Sequence, residues 1–330
     1  KKNRWAGVRA SGRLWVLALV LVGPVCSQTC VERPQFAEKG VFFLQLQAGV
    51  DFAVEETASA VSHVQAGHNA QARQMQNFAY FIGDAVSRQV LVVDGCWDVD
   101  GIRERAREAG VVVVGFLATH YHFDHIGGVL PRKYGGSGQS SASDIPGIAD
   151  WVKAHRDGAL RLEGGEAKKE EGEEEEKDNE AFRVLVHKSE RALVAKATPG
   201  LSRADVTGIE DEGHIRVGAV TLHLKHTPGH SPGSSVILAL APSTGEPLLV
   251  LSGDTVFPGS CGRIDLPDSN PLKMLTSLQR LDRELDALLP LYPGHAYSAP
   301  NSTVGAERVG GMLRPELIGS EASWRAAMMR

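Results

Sequence analysis

The order of apolar and polar positions divides the chain into strand-like and helix-like runs. Residues 78–82 (FAYFI) and 90–93 (VLVV) are short β-branched and aromatic runs separated by a polar turn, which predicts a hairpin of buried strands. Residues 100–109 change to a helical period. Ile102, Ala106 and Ala109 share a face, Asp98 or Asp100 can cap the first turn, and Gly110 stops the last. Residues 111–118 (VVVVGFLA) are continuously apolar, which predicts a strand covered on both faces. Further strands are predicted at 183–187, 215–217, 220–225, 235–239 and 248–251. Asn270-Pro271 then opens a helix with proline in its first turn, and Leu272, Leu275, Leu278, Leu281 and Leu285 keep one face apolar. Strands outnumber helices, and each group of strands is followed by a helix. This is the pattern of an α/β protein with sheets packed face to face and helices outside, not of a doubly wound parallel sheet.

Two stretches fall outside that pattern. Residues 14–25 (LWVLALVLVGPV) form an apolar run too short to span a bilayer, preceded by Lys1, Lys2, Arg4, Arg9 and Arg13 without an acid. Residues 1–30 therefore read as a signal or targeting segment directing the chain to the secretory pathway or an organelle, with no stable membrane span in the mature chain. Residues 31–330 read as one domain that carries a low-complexity insertion at about 132–182. It is Gly- and Ser-rich at 132–145 and acidic at 163–180, where ten acids accompany three lysines. Such a composition buries too little apolar surface to order itself.

Composition narrows the function classes. The formal net charge is -5, and once the basic leader and the acidic run are set aside the body is close to neutral. That gives no electrostatic pull toward nucleic acid. Four cysteines (Cys26, Cys30, Cys96 and Cys261) are too few for a disulfide scaffold and form no CxxC pair. A small-molecule substrate is the expected partner, and nothing in the sequence sets the oligomeric state.

The chemistry is concentrated after the apolar strand 111–118. Thr119-His120-Tyr121-His122-Phe123-Asp124-His125-Ile126-Gly127-Gly128 puts three imidazoles and a carboxylate within six residues. On an extended segment His120 and His122 point the same way and can grip one ion. Asp124 and His125 lie where the chain turns and can face a second. Imidazole nitrogen and carboxylate oxygen suit borderline divalent metals. Four ligands cannot complete two sites, and three further candidates each follow an apolar run beside a glycine: His230, Asp254 and His295. The remaining histidines, His63, His68, His155, His187, His214, His223 and His226, read as surface or packed residues.

These blocks resemble the metallo-β-lactamase superfamily, and within it the hydroxyacylglutathione hydrolase (glyoxalase II)-like thioesterase branch. THYHFDHIGG, HTPGHSPGS, GDTVFPGSCGR and YPGHAYS follow in order from Thr119 to Ser298, and Met75-Gln76-Asn77-Phe78 with the Asp94 strand resembles the family's opening hairpin. The resemblance implies a four-layer αββα sandwich with the site at one edge, over residues 31–330. It implies two divalent metal ions, zinc foremost with iron or manganese as alternatives. One would be held by His120, His122 and His230, the other by Asp124, His125 and His295, with Asp254 as the bridge. Asp124 and Asp254 would be the catalytic carboxylates, and Asp94 would orient a histidine. The implied activity is hydrolysis of a thioester or related acyl substrate by a metal-bridging hydroxide. Arg263 and Tyr297 are the candidate substrate-binding residues; alternatively Arg263 pairs with Asp265 or Asp268 on the surface. An Asp at 254, where one major class of true β-lactamases has Cys, disfavours antibiotic hydrolysis. Two departures from the thioesterase pattern, Cys261-Gly262-Arg263 running into Ile264-Asp265 and Ala296 in place of Glu, bear on glutathione itself. Three other readings share these motifs: a persulfide dioxygenase with one iron on His120, His230 and Asp254, a nucleic-acid processing nuclease, and an inactive binding module.

Overall fold

In the computed structural model, residues 33–54, 62–130, 144–160 and 182–328 are described. The targeting segment 1–30, with Cys26 and Cys30, and the acidic run 163–180 lie outside them. The apolar runs form two six-stranded sheets. The first contains β1 (Val41–Gln47), β2 (Phe78–Asp84), β3 (Gln89–Val93), β4 (Val112–Leu117), β5 (Arg183–His187) and β6 (Val206–Ile209), in that spatial order. It is antiparallel from β1 to β3 and parallel from β3 to β6. The second contains β7 (Gly213–Val217), β8 (Val220–His226), β9 (Ser235–Leu240), β10 (Pro247–Gly253), β11 (Pro290–Pro293) and β12 (Ser302–Thr303). Here β7 to β10 are an antiparallel meander, β11 runs parallel to β10, and β12 returns antiparallel.

Alternation along the strands explains why both faces are apolar. In β1, Phe42, Leu44 and Leu46 turn outward and pack with Val92, Phe116, Ile102 and Trp151. Val41 and Phe43 turn inward and meet Tyr80, Leu117, Leu222 and Leu251 between the sheets. A third apolar layer joins Val236, Leu238 and Val250 to Met274, Leu278, Leu281 and Trp324. Ile102, Trp151, Met274 and Trp324 lie on helices outside the two sheets. Three apolar layers separate four structural layers, the αββα sandwich. Each fully buried side chain of this size contributes roughly 1.5–3 kcal/mol by removal from water.

The helices are α1 (Pro34–Ala37), α2 (His63–Met75), α3 (Val99–Glu108), α4 (Phe123–Ile126), α5 (Ile148–Arg156), α6 (Arg191–Ala197), α7 (Pro271–Glu284), α8 (Val304–Gly310), α9 (Pro315–Ile318) and α10 (Glu321–Met328). The cap of α3 is Asp98, whose side chain accepts from the Gly101 amide, so Asp100 lies inside the first turn. Asn270 caps α7 by accepting from Leu272 and Lys273. Among the described residues, no helix is long and apolar enough to cross a membrane.

One boundary needs correction. The stretch 132–182 is not an insertion throughout, because α5 lies within it and buries Ile148, Trp151 and Ala154. Trp151 is fully buried, and its indole donates to the Gly95 carbonyl at 2.7 Å. A three-residue apolar period hidden between a Gly/Ser-rich run and an acidic run escaped the sequence pattern.

Candidate metal centre

Every candidate ligand follows the C-terminal end of a strand. His120, His122, Asp124 and His125 follow β4, His230 follows β8, Asp254 follows β10 and His295 follows β11. Asp94 follows β3, which is parallel to β4. β8 and β10 share a direction because both pair antiparallel with β9, and β11 is parallel to β10. The loops therefore gather at one end of each sheet. After His122, α4 carries Asp124 and His125. Gly127 ends it at φ 73°, and a Cβ there would stand 2.7 Å from the Ile145 carbonyl oxygen. At Gly294 a Cβ would lie 2.4 Å from Asp254 Oδ1, so only glycine lets the β11 loop close on the site.

The seven candidate ligands converge. His120 Nε2 is 3.0 Å from His122 Nδ1, which is 2.9 Å from His230 Nε2. His125 Nε2 is 3.2 Å from His295 Nε2, and Asp124 Oδ2 stands 3.6 and 3.5 Å from these two nitrogens. Asp254 lies between the two groups. Its Oδ1 is 3.4 Å from His125 Nε2, and its Oδ2 is 3.3 Å from His230 Nε2 and 3.5 Å from His295 Nε2. The candidate donors form three overlapping sets: His120, His122 and His230; His120, His125 and Asp254; and Asp124, His125 and His295.

The outer ring nitrogens fix which inner atoms carry protons. His230 Nδ1 donates to the Arg263 carbonyl at 2.8 Å, and His295 Nδ1 to the Met75 carbonyl at 2.7 Å. His125 Nδ1 donates to Asp94 Oδ2 at 2.9 Å. The Thr119 hydroxyl donates to Asp94 Oδ2 at 2.7 Å, leaving its oxygen to accept from His120 Nδ1 at 3.1 Å. Four Nε2 lone pairs thus face inward. A proton on His122 Nδ1 can serve either His120 or His230 but not both. The facing lone pairs of His125 and His295 repel unless a cation lies between them.

The carboxylates make the same demand. Asp94, Asp124 and Asp254 are buried. Among the described residues, only histidines lie within ion-pair distance of Asp124 and Asp254. Asp254 Oδ1 is buried without a hydrogen-bond partner. Burial lowers the tendency of His125 to protonate, but Asp254, Asp124 and Asp94 overcome it and push its pKa up to about 10. His295 is raised against burial by Asp254 and Asp124. His122 is pushed down to about 3 by burial and by His230, and His120 falls well below its ordinary value by burial. His125 and His295 thus draw protons where a cation would relieve the carboxylates, whereas His120 and His122 refuse them. A bound divalent ion would displace them. Donor chemistry, facing lone pairs and an unpartnered carboxylate oxygen all fit divalent metal.

The centre forms the floor of a cavity of about 540 Å³. Met75, Phe123, Val129, Phe257, Leu266 and Pro267 supply apolar wall, and Cys261, Arg263 and Tyr297 also line it. Tyr297 stacks on His295 with centroids 4.6 Å apart and planes 6° apart. The Arg263 side chain lies at the exposed rim, where its Nε and Nη2 donate to the two oxygens of Asp265, each at 2.9 Å. Asp268 instead accepts from the Tyr121 hydroxyl, across the cavity mouth. Asp94 sits at φ 53°, a left-handed conformation that Asp tolerates better than most residues, and orients both Thr119 and His125.

Sequence reasoning did not single out the residues that fix Asp124. Asn77 Nδ2 donates to the Asp124 carbonyl at 2.8 Å, and the Cys96 thiol donates to the same oxygen at 3.0 Å. The signal was faint: an uncharged Asn ahead of a strand and a lone Cys after one.

Several known proteins are similar to this chain. The chain is similar to "Probable metallo-hydrolase YqgX" of Bacillus subtilis, at 28% identity over 216 residues, 62% of this chain and 77% of that protein. It is similar to "Probable polyketide biosynthesis zinc-dependent hydrolase PksB" of the same organism, at 24% identity over 223 residues, 67% of this chain and 73% of that protein. Among solved structures, a metallo-beta-lactamase from Staphylococcus aureus superposes with a TM-score of 0.56 at 22% identity, covering 88% of this chain and 67% of that one. ETHE1 from Myxococcus xanthus gives 0.50 at 23% identity, covering 77% of this chain and 85% of that one. Residues 72–131 and 147–295, more than half of the sequence, match the profile of one family, and the chain belongs to the metallo-beta-lactamase superfamily.

Proposed function

We propose that the protein is a dinuclear metal-dependent hydrolase acting on a small anionic thioester or related acyl substrate, in the manner of the glyoxalase II-like branch. One observation carries this reading. Five inward imidazole nitrogens and the carboxylates of Asp124 and Asp254 share the floor of one cavity, arranged as two triads with Asp254 between them. His120, His122 and His230 would hold one ion, and Asp124, His125 and His295 the other. Bound divalent ions would supply Lewis acidity and a water whose pKa is brought near neutral.

The chain's own residues do the rest. Asp254 offers one oxygen toward each triad and so offsets the repulsion of two cations. Asp124 is kept ionised despite burial, first by His125 and then by His295, and can hold charge or accept a proton at Oδ2. The apolar wall excludes water from the acyl group. Arg263 at the rim suits a substrate carboxylate through a charge-assisted pair, and Tyr297 packs beside the His295 ring.

The zinc-dependent hydrolase name of one relative and the metallo-hydrolase name of another support this reaction class. A single iron on His120, His230 and Asp254 would use only part of the cage, and the convergence of Asp124, His125 and His295 favours two ions over one. The test is a panel of thioesters and lactones on metal-replete protein, with metal content measured on the same sample. Turnover of an anionic thioester with two ions bound is the expected result. One iron with oxygen uptake on a persulfide, and no thioester turnover, would overturn it.

A further inference from the structure

Glu190 is a fully buried carboxylate that belongs to neither triad. It closes the 3₁₀ turn Lys188–Glu190 between β5 and α6. Its Oε1 accepts from the Ser231 hydroxyl at 2.5 Å and from the Gly233 amide at 2.8 Å. Ser231 is the residue after His230. The loop is closed on itself as well, since Ser234 Oγ accepts from the Ser231 amide at 3.1 Å. The contact leaves no slack: a Cβ at Gly233 would stand 2.6 Å from Glu190 Cγ. Its Oε2 is buried without a hydrogen-bond partner. Burial works against this carboxylate, and the Ser231 hydroxyl and the Gly233 amide work for it. Asp124, His125 and His295 are held by other groups: Asn77 and Cys96 on the Asp124 carbonyl, Asp94 on His125, and the Met75 carbonyl on His295.

We propose that Glu190 is a positioning residue for one metal site only: it fixes the His230 loop through Ser231 and Gly233 and thereby sets the affinity of the His120–His122–His230 triad. This rests on the reading that the triad holds a metal ion. A neutral carboxamide can accept the same two hydrogen bonds, because both fall on Oε1. Glu190→Gln should therefore retain most of the affinity that Glu190→Ala loses. Outer groups that orient metal ligands typically set about 10–100-fold in affinity.

The experiment is Zn²⁺ titration of the metal-free full chain, read by calorimetry, in two single-site backgrounds. His295→Ala leaves the His120–His122–His230 triad, and His122→Ala leaves the Asp124–His125–His295 triad. Adding Glu190→Ala should weaken binding about 10–100-fold in the first background and leave it unchanged in the second. Adding Glu190→Gln should restore most of the loss. Ser231→Ala removes one donor without stranding a buried charge, and should weaken the first site alone by a smaller factor even if Glu190→Ala does not fold. Equal weakening of both sites, or no weakening of the first by either Glu190→Ala or Ser231→Ala, would overturn the proposal while leaving the metal reading intact. A wild-type chain that binds no Zn²⁺ would overturn both.

Discussion

Asn77 holds Asp124 by its main chain: the side-chain amide donates to the Asp124 carbonyl at 2.8 Å and reaches its Oδ2 at 3.4 Å. The same Asn77 accepts from the Trp97 indole at 3.0 Å, so one buried amide ties a candidate ligand to the outer apolar layer. Asn77→Ala strands the Trp97 N–H and takes a donor from the Asp124 carbonyl. The expected cost is about 1–3 kcal/mol of stability, read as a lower urea midpoint. Metal affinity should fall with it. An unchanged midpoint would show that water replaces both bonds.

Among the described residues, Asp254 is the one carboxylate that touches both triads, and Asp254→Ala removes it. Two cations with no anion between them repel, so turnover should disappear together with at least one ion, measured by elemental analysis. Retained turnover with both ions bound would refute the bridging role. His63→Ala, on the exposed start of α2, is the control and should match wild type. Chelation of the wild type should lower its Tm, because a ligand held only by the folded form at about 100 times its Kd adds about 2.7 kcal/mol.

His187 gives a pH dependence outside the metal cage. Its ring stacks on His226 at 3.8 Å, and burial with the neighbouring His226 pushes its pKa from 6.5 down to about 4. Between these values the unfolded chain binds a proton that the folded chain refuses. Stability is therefore lost as pH falls from 6.5 toward 4, and the loss is complete below about 4. His187→Gln removes that proton from both states. Its Tm should fall less than that of wild type over the window, while metal-linked losses cancel in the comparison. Parallel curves would show that His187 titrates alike in both states.

The two sheets and the metal cluster were legible for different reasons. β3, β4, β9 and β10 are nearly continuous apolar runs because helices or the other sheet cover both faces, β8 (VTLHLKH) alternates apolar with polar positions, and both patterns of Val, Leu and Ile are visible without coordinates. The HxHxDH block announced itself by packing four donors into six residues, and His230, Asp254 and His295 by following apolar runs beside glycine. α2 did not show, since it buries only His68, Asn69 and Ala72 and has no apolar stripe. β1 (VFFLQLQ) mixes glutamine into its run, and Gln45 is buried because it donates to the Pro300 carbonyl across 255 residues. Cys96 and Glu190 act through neighbours brought together only by the fold, and Asn77, though it falls within the Met75–Phe78 block, meets Asp124 only there as well.

Arg263 separates substrate recognition from metal binding within one residue. Its carbonyl accepts from His230 Nδ1 at 2.8 Å, whereas its guanidinium reaches the cavity rim and pairs with Asp265. Arg263→Ala keeps the carbonyl and should leave metal content unchanged. The Arg263–Asp265 pair is exposed on both sides, and pairs of that kind contribute about 0–1 kcal/mol. Stability should therefore stay near wild type, and a substrate carboxylate can displace Asp265 at little cost. A charge-assisted hydrogen bond contributes about 1.5–3 kcal/mol, so KM for an anionic thioester should rise about 10–100-fold in Arg263→Ala while a neutral analogue is barely affected. Asp265→Ala removes the carboxylate that competes with substrate for the guanidinium and should lower KM for the anionic substrate. Equal losses for charged and neutral substrates in Arg263→Ala would mean that the side chain shapes the rim and does not read charge.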